Sequence, residues 1–402
     1  MEIKKTYKYR LYPSKDIAKR MEKNLEVCRR TYNDLLSINQ ETYLAEGKGL
    51  SKFDMNKCIN HGVNAEIKSV HSQVLQNVSN RVDKAFKNFF RRLKERKSGK
   101  DISVGYPRFK KRYKSFTYPQ NGYKLDGNKL TLSKVGIVNV RIGRTQNRIV
   151  GQIKTLTIKR EPTGKWFACF SCVEEINPTK NKNKEKIGVD VGLKEFATLS
   201  NGETIENHRF FVKSEKRLKK AQRILSRRKK GSNRREKARY RVALIHEKIS
   251  NQRHDFHHQL TRKLVDNYGT IVIEDLKITN MVRHPYLAKH INDASWGQFA
   301  RFLCYKAESA GCRVEKVDPR GTSQDCSHCG NKVPKTLAQR WHRCTYCGVV
   351  MDRDLNASKN ILNKDTVGTT EIYARGDGSS PLGYGLEDSP SRKREARLLV
   401  VG

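Results

Sequence analysis

Acidic residues are scarce in this chain. Its 402 residues carry 41 Asp plus Glu against 83 Lys plus Arg, a formal net charge of +42. Such an imbalance resists compaction by self-repulsion and requires a polyanionic partner. Nucleic acid is the first candidate, and a small-metabolite enzyme with a balanced surface is excluded. Apolar residues are also few, 36% of the chain, against about 45–50% in ordinary globular proteins when glycine is counted. The length still permits a core, and about 100–200 residues per domain gives two to four domains. Long apolar runs are missing, since no segment approaches the roughly 18–20 residues of a membrane span. The opening MEIKKTYKYRLYPSK is basic without an apolar stretch, so no secretory signal is expected. The expected compartment is the cytoplasm, with no membrane partner. There the ten cysteines would be reduced thiols rather than disulfides.

What is present begins with strand-like alternation over residues 2–11, stopped at Pro13 and Ser14. Met21, Leu25, Cys28, Tyr32 and Leu35 predict a helix over about 16–38. Val74, Val78, Val82, Phe86 and Phe89 predict another over about 70–95. The opposite face of the second helix carries Gln76, Asn77, Asn80, Lys84, Lys87 and Arg91, which fits a solvated face and a nucleic-acid contact equally. In GYPRFKKRYK (105–114) aromatics alternate with cations, Tyr106, Arg108 and Lys110 among them. That pattern suits base stacking beside phosphate contact. Residues 115–175 alternate with Gly and Pro punctuation and predict the strands of a small barrel or sheet. NPTKNKNKEK (177–186) reads as a polar linker.

IGVDVG, KEFATLS and ETIEN follow as strands. Between Lys213 and Arg241 stand fifteen Lys or Arg against two Glu, a net +13. GSN at 231–233 should break this stretch into a helical hairpin. Val242, Ile245, Ile249, Phe256, Leu260 and Leu264 form an apolar stripe on its second arm. One face packs while the other is too one-sided for balanced surface salt bridges. Arg227, Arg228, Lys229 and Lys230 at the bend are candidates for phosphate contact. TIVIED (270–275) is a buried strand, 294–310 an amphipathic helix, RVEKVD (313–318) a strand and DRDLNASKNIL (352–362) a helix. Residues 365–402 have no core pattern and are expected to be disordered.

Cys326-Ser-His-Cys329 and Cys344-Thr-Tyr-Cys347 are two CxxC pairs, each followed by glycine, Gly330 and Gly348. Each turn aims two thiolates at one point, and two turns complete a tetrahedron that suits Zn²⁺. A redox dithiol is the alternative reading of a CxxC pair. His328 and His342 are near enough to be considered as ligands, but four thiolates already close the site. A closed zinc site is structural.

Three carboxylates stand out. Asp190 lies between Val189 and Val191, Glu274 ends IVIE, and Asp354 opens the last helix. A carboxylate in an apolar strand is costly unless paired or metal-bound. Alone, Asp190 could be an ion-pair member, and Glu274 with Asp275 a helix cap. The order of strands and helices is compatible with an RNase H-like α/β fold, in which acids from separate elements meet at one edge. Together, in a chain built for polyanions, the three point to divalent-metal binding.

GVDVGLKEFATLSNG, IVIEDLKITNM, the CxxC–CxxC ribbon and DRDLNASKNI resemble the three RuvC motifs and zinc insert of TnpB proteins, which insertion sequences encode. RLYPS, YPRFK, LSRRKKGS, DASWGQF and TSQDCSHCG are similar to that family too, and the resemblance spans about residues 1–364. Compact type V CRISPR effectors are related. The resemblance implies a multidomain α+β chain. A β-rich wedge domain would comprise 1–14 and 105–180, with a helical recognition insertion over 15–104. A RuvC-like nuclease would comprise 181–318 and 349–364, interrupted by a zinc ribbon over 319–348. It further implies an RNA-guided DNA endonuclease whose partners are a guide RNA and target double-stranded DNA. Asp190, Glu274 and Asp354 would hold two catalytic Mg²⁺ ions, with Asp354 preferred to Asp352. Cys326, Cys329, Cys344 and Cys347 would hold one structural Zn²⁺. Gln76 and Thr117 resemble contacts to a target-adjacent motif. Two alternatives stay open: a transposase of the Asp-Asp-Glu type, whose usual acid order differs from the Asp, Glu, Asp here, and a catalytically silent RNA-guided DNA binder.

Overall fold

A computed structural model describes residues 2–62, 66–142, 149–175, 183–336 and 339–365. The expected disordered tail beyond Asp365, and most of the expected linker, lie outside the described residues.

Strand β1 (Glu2–Tyr12) is followed by helices α1 (Lys15–Glu46), α2 (Lys52–Asn60) and α3 (Ser72–Lys97). Strands β2 (Ser115–Tyr118), β3 (Tyr123–Asp126), β4 (Lys129–Leu132), β5 (Gly136–Arg141), β6 (Gln152–Arg160) and β7 (Trp166–Glu175) then join β1 in one antiparallel sheet, ordered β2-β6-β7-β1-β5-β4-β3. Its edge strands β2 and β3 are successive in the chain. Tyr118 reaches across their turn, its ring 6.2 Å from Tyr123 and its hydroxyl donating to the Ser133 carbonyl at 3.0 Å. The sheet therefore curls into a nearly closed barrel. Tyr7, Tyr9 and Leu11 of β1 bury one face of the strand, in the same core as Leu25, Tyr32 and Leu35 of α1 and Val74, Val78 and Val82 of α3.

Local chemistry sets the helix ends. The Ser14 hydroxyl accepts from the Ile17 amide at 3.3 Å and caps α1. The helix runs on to Glu46, past the expected end, and stops where Gly47 turns left-handed at φ 67°. Helix α2, inside the expected helical insertion but not delimited by periodicity, is nucleated by a reciprocal capping box between Ser51 and Asp54.

The second sheet contains β8 (Lys186–Val191), β9 (Glu195–Leu199), β10 (Thr204–Glu206), β11 (Thr270–Glu274) and β12 (Arg313–Val317), ordered β10-β9-β8-β11-β12. β8, β11 and β12 are parallel, and β9 and β10 antiparallel. Interior strand β11 buries Ile271, Val272 and Ile273 in succession, as a strand covered on both faces must. Helices α5 (Asn233–Asn267) and α8 (Trp296–Ala310) cover one face through Leu260, Leu264, Phe299 and Leu303. Helix α9 (Arg353–Lys364) covers the other, with Ile361 against Val272 and Val317. Gly188 lets α9 approach β8, since a Cβ there would lie 2.2 Å from the Ser358 carbonyl oxygen.

Helix α4 (Phe210–Ser226) and α5 form the expected hairpin, with Leu218, Ile245 and Ile249 between them. Gly231 turns at φ 85°, and the Ser232 hydroxyl caps α5 by accepting from the Arg235 amide. Short helices α6 (Ile278–Met281) and α7 (Ala288–Ala294) precede α8. Buried Asp293 of α7 accepts from the Phe211 and Val212 amides and pairs with Arg253 at 3.3 Å, fastening the hairpin to the second sheet's helices. A two-stranded ribbon, β13 (Trp341–Arg343) with β14 (Val350–Asp352), leads directly into α9. Among the described residues no helix is long and apolar enough to cross a membrane.

Candidate functional site

The four cysteines sit on two matching turns. Gly330 donates its amide to the Cys326 carbonyl at 2.8 Å and Gly348 to that of Cys344 at 3.0 Å, with φ 74° and 73°. These positive angles are why glycine follows each pair. The four sulfurs lie within 4.8 Å of one another. Cys326–Cys347 and Cys329–Cys344 are 3.7 and 3.6 Å apart. A tetrahedral zinc with Zn–S of about 2.3 Å requires S···S of about 3.8 Å, so the set fits that ion. The Asn331 backbone amide, aided by the neighbouring thiols, pulls Cys329 down to about 6. His328 and His342 are outside the cluster. His342 is buried, its Nδ1 against the Lys335 ammonium.

The carboxylates lie beside this ribbon. Asp190 stands near the end of β8, Glu274 ends the adjacent parallel strand β11, and Asp354 rides on the first turn of α9. The Asp190 carboxyl is pushed well above the carboxylate range, first by burial and then by the charges of Glu274 and Asp354. Burial also raises Glu274, opposed by the Thr322 hydroxyl, which donates to Glu274 Oε1 at 2.7 Å. Asp352 is engaged within its own turn. Its Oδ1 caps α9, accepting from the Asp354 and Leu355 amides at 2.8 and 3.2 Å. Asp354 itself faces the Arg353 guanidinium, Nη2 to Oδ1 at 3.0 Å. A buried acid whose proton affinity two acidic neighbours raise is suited to a divalent cation, which removes the repulsion.

The ribbon and this edge are one structure. Asn356 Oδ1 accepts from the Ser327 amide at 2.9 Å, inside the first CxxC turn, and its Nδ2 donates to the Asp325 carbonyl at 2.8 Å. Asn360, one turn on, donates to the Thr322 and Asp325 carbonyls. Sequence reasoning missed Thr322, Asn360 and the bracing by Asn356. The available signal was two asparagines four residues apart in an otherwise core-forming helix.

The remaining candidates divide. Gln76, Arg108, Arg227, Arg228, Lys229 and Lys230 are exposed. Tyr106 is partly open, its ring edge-on to Phe86 and Phe89. Lys110 is exposed, with its ammonium 5.3 Å from the Tyr32 ring and its backbone held by Asn33. Asn77 and Thr117 turn toward the protein: Arg81 donates to Asn77 Oδ1 at 3.0 Å and to Thr117 Oγ1 at 2.9 Å, and Thr117 also meets Thr157.

Residues 169–284 match the OrfB_IS605 family, described as a probable transposase, and 296–361 a Cas12f1-like TNB domain. A Streptomyces pristinaespiralis protein named RNA-guided DNA endonuclease is 32% identical over 99% of this chain and 96% of its own length. The chain belongs to the TnpB family of RNA-guided DNA endonucleases. It is 32% identical to another member, InsQ of Escherichia coli K12, over 90% of the chain and 92% of InsQ. Among solved structures, a Cas12f1–sgRNA–target DNA complex shares the fold, with a TM-score of 0.55 over 88% of this TnpB-family chain and 84% of Cas12f1, at 15% identity. Residues 1–48 match a family described as a helix-turn-helix domain. In this chain they contain one strand and the whole of one 32-residue helix.

Proposed function

We propose that this chain is an RNA-guided DNA endonuclease that cuts DNA beside a short target-adjacent motif. Asp190, Glu274 and Asp354 are the acids of its Mg²⁺-dependent centre, on an RNase H-like (RuvC) sheet. The observation that carries this reading is the charge conflict at the sheet edge: burial and two neighbouring acids hold Asp190 well above the carboxylate range, in a chain of net charge +42. The relatives' names support the RNA guide and the DNA target. Two Mg²⁺ ions held by Asp190, Glu274 and Asp354 would supply an activated water and stabilisation of the departing 3′-oxygen, so that the product would carry a 5′-phosphate. Asp190 presents the carboxylate nearest the sheet's middle. Thr322 orients Glu274 through Oε1, and the Asp352 cap fixes the turn that carries Asp354. The four cysteines hold one structural Zn²⁺ that shapes the ribbon. Guide–target pairing supplies sequence choice while the protein reads backbone and a short duplex motif. The exposed Gln76, Tyr106, Arg108, Lys110 and the hairpin bend at 227–230 contribute nucleic-acid contacts. In domain terms, 1–14 with 105–180 is the wedge, 15–104 its recognition insertion, 181–318 with 349–364 the nuclease, and 319–348 the zinc ribbon.

The test begins with sequencing RNA that co-purifies with the chain from its native locus. A plasmid library bearing the matching target is then incubated with the reconstituted complex, with and without Mg²⁺. Cuts that require Mg²⁺ and cluster beside one short motif are expected. Tight binding without cutting would make the chain a silent binder, and guide-independent strand transfer would make it a transposase.

A further inference from the structure

Arg353 stands immediately before Asp354 and is held at four points. Its backbone amide donates to the Arg340 carbonyl at 2.8 Å, at the start of the ribbon hairpin. Its Nη1 donates to the Gln339 carbonyl at 3.2 Å. Its Nε and Nη2 meet Asp354 Oδ1 at 3.1 and 3.0 Å. The other oxygen, Oδ2, lies 3.8 Å from Arg340 Nη1. The Arg353 and Asp354 side chains are only 16% and 21% exposed, so solvent screens this pair weakly. Both oxygens of one carboxylate therefore already face cations that are anchored to the ribbon.

We propose that Arg353 is a positioning residue for the metal centre, a resident counter-ion that holds Asp354 to the ribbon until a divalent ion displaces it. The inference rests on the reading of Asp190, Glu274 and Asp354 as metal ligands. An ion that takes Asp354 Oδ1 must displace the Arg353 guanidinium that holds it, and an ion that takes either oxygen must approach that fixed positive charge. Both effects oppose metal binding, and both disappear when Arg353 is neutralised. A residue that merely braced the loop would act in the opposite sense, because its loss would let Asp354 wander and weaken metal binding.

The test uses the purified full-length chain with its zinc content measured, titrated with Mn²⁺ while free Mn²⁺ is counted by electron paramagnetic resonance. Asp190→Ala run in parallel defines which sites belong to the carboxylate edge. Arg353→Gln should bind Mn²⁺ at those sites roughly three- to tenfold more tightly, the scale of losing one part-buried charged contact. Arg353→Lys, which keeps the charge but not the fork, should gain less. Unchanged or weaker Mn²⁺ binding in Arg353→Gln with zinc retained overturns the counter-ion role. If Arg353→Gln loses zinc or fails to fold, exposed Arg340→Gln carries the test. It should tighten binding about twofold, in line with a surface pair, and no change or weakening overturns the proposal. If Asp190→Ala removes no Mn²⁺ site, the metal-centre reading itself fails and the proposal with it. If Asp190→Ala removes the site but neither arginine variant tightens it, only the proposal fails.

Discussion

The four cysteine sulfurs lie within 4.8 Å of one another on two short turns, whereas the three carboxylates beside them stand on three separate elements of the fold. The sulfurs come from two short turns whose own backbone hydrogen bonds set the spacing. The carboxylates come from β8, β11 and α9, and nothing local holds them together. A ligand set that is filled by one ion can be closed and self-contained. A set of like charges drawn from separate elements depends on support from elsewhere in the fold. What compensates is bracing from outside. Thr322 holds Glu274, Arg353 and Arg340 face Asp354, and Asn356 and Asn360 tie α9 to the turns of the ribbon. The closed site is therefore the frame on which the open one is mounted.

This dependence can be broken in steps. Cys326→Ser should have the largest effect on the molecule. Loss of one thiolate releases the zinc, and with it the folding free energy that metal supplies. Zinc per chain should fall from about one to near zero, melting temperature should drop, and cutting should fall although no carboxylate has changed. Unaltered zinc content in the variant would remove Cys326 from the ligand set. Thr322→Val comes next, because it spares zinc and fold while removing one hydrogen bond to Glu274. Outer partners of metal ligands are typically worth about 10–100-fold in metal affinity or activity. The rate of cutting should fall within that range, with the Mg²⁺ requirement shifted upward and zinc unchanged. Equal rates in a Mg²⁺ titration would mean that Glu274 needs no such bracing.

The smallest effect is expected at the exposed bend of the helical hairpin. Replacing Arg227, Arg228, Lys229 and Lys230 with glutamine should weaken RNA or heteroduplex binding without changing which sequences are cut. Phosphate contacts position a nucleic acid but carry no sequence information. Every phosphate interaction removed should reduce the log–log salt slope by roughly 0.7–0.9. Superimposable slopes for wild type and variant would make this exposed bend a solvated surface.

The sequence disclosed these two sites to different depths. The ribbon was legible because CxxC spacing is a local constraint, complete within four residues. Asp190 was legible because an acid between two valines is an anomaly in a buried strand. The hairpin bend was visible in GSN, since glycine and a capping serine act within one turn. The bracing was not, because Thr322 and Glu274 are joined only by the fold, and so are Asn356 and Ser327. The same reason hides the Arg81 network that draws Asn77 and Thr117 inward. The bounds of helix α2 were not legible because its signal is a capping box on a nine-residue segment with little apolar periodicity. The near-closure of the first sheet rests on a tyrosine reaching between edge strands, which alternation alone does not encode.

Whether the carboxylate edge is the cutting centre is tested most directly by Asp190→Ala in the reconstituted guide complex. Target binding and cleavage are measured on the same preparation, with zinc content as a check on the ribbon. Binding and zinc should match wild type while cleavage falls to background, because the variant removes a ligand at the edge and leaves the nucleic-acid grip in place. Cleavage at the wild-type rate by Asp190→Ala would contradict this assignment and place the chemistry elsewhere in the chain.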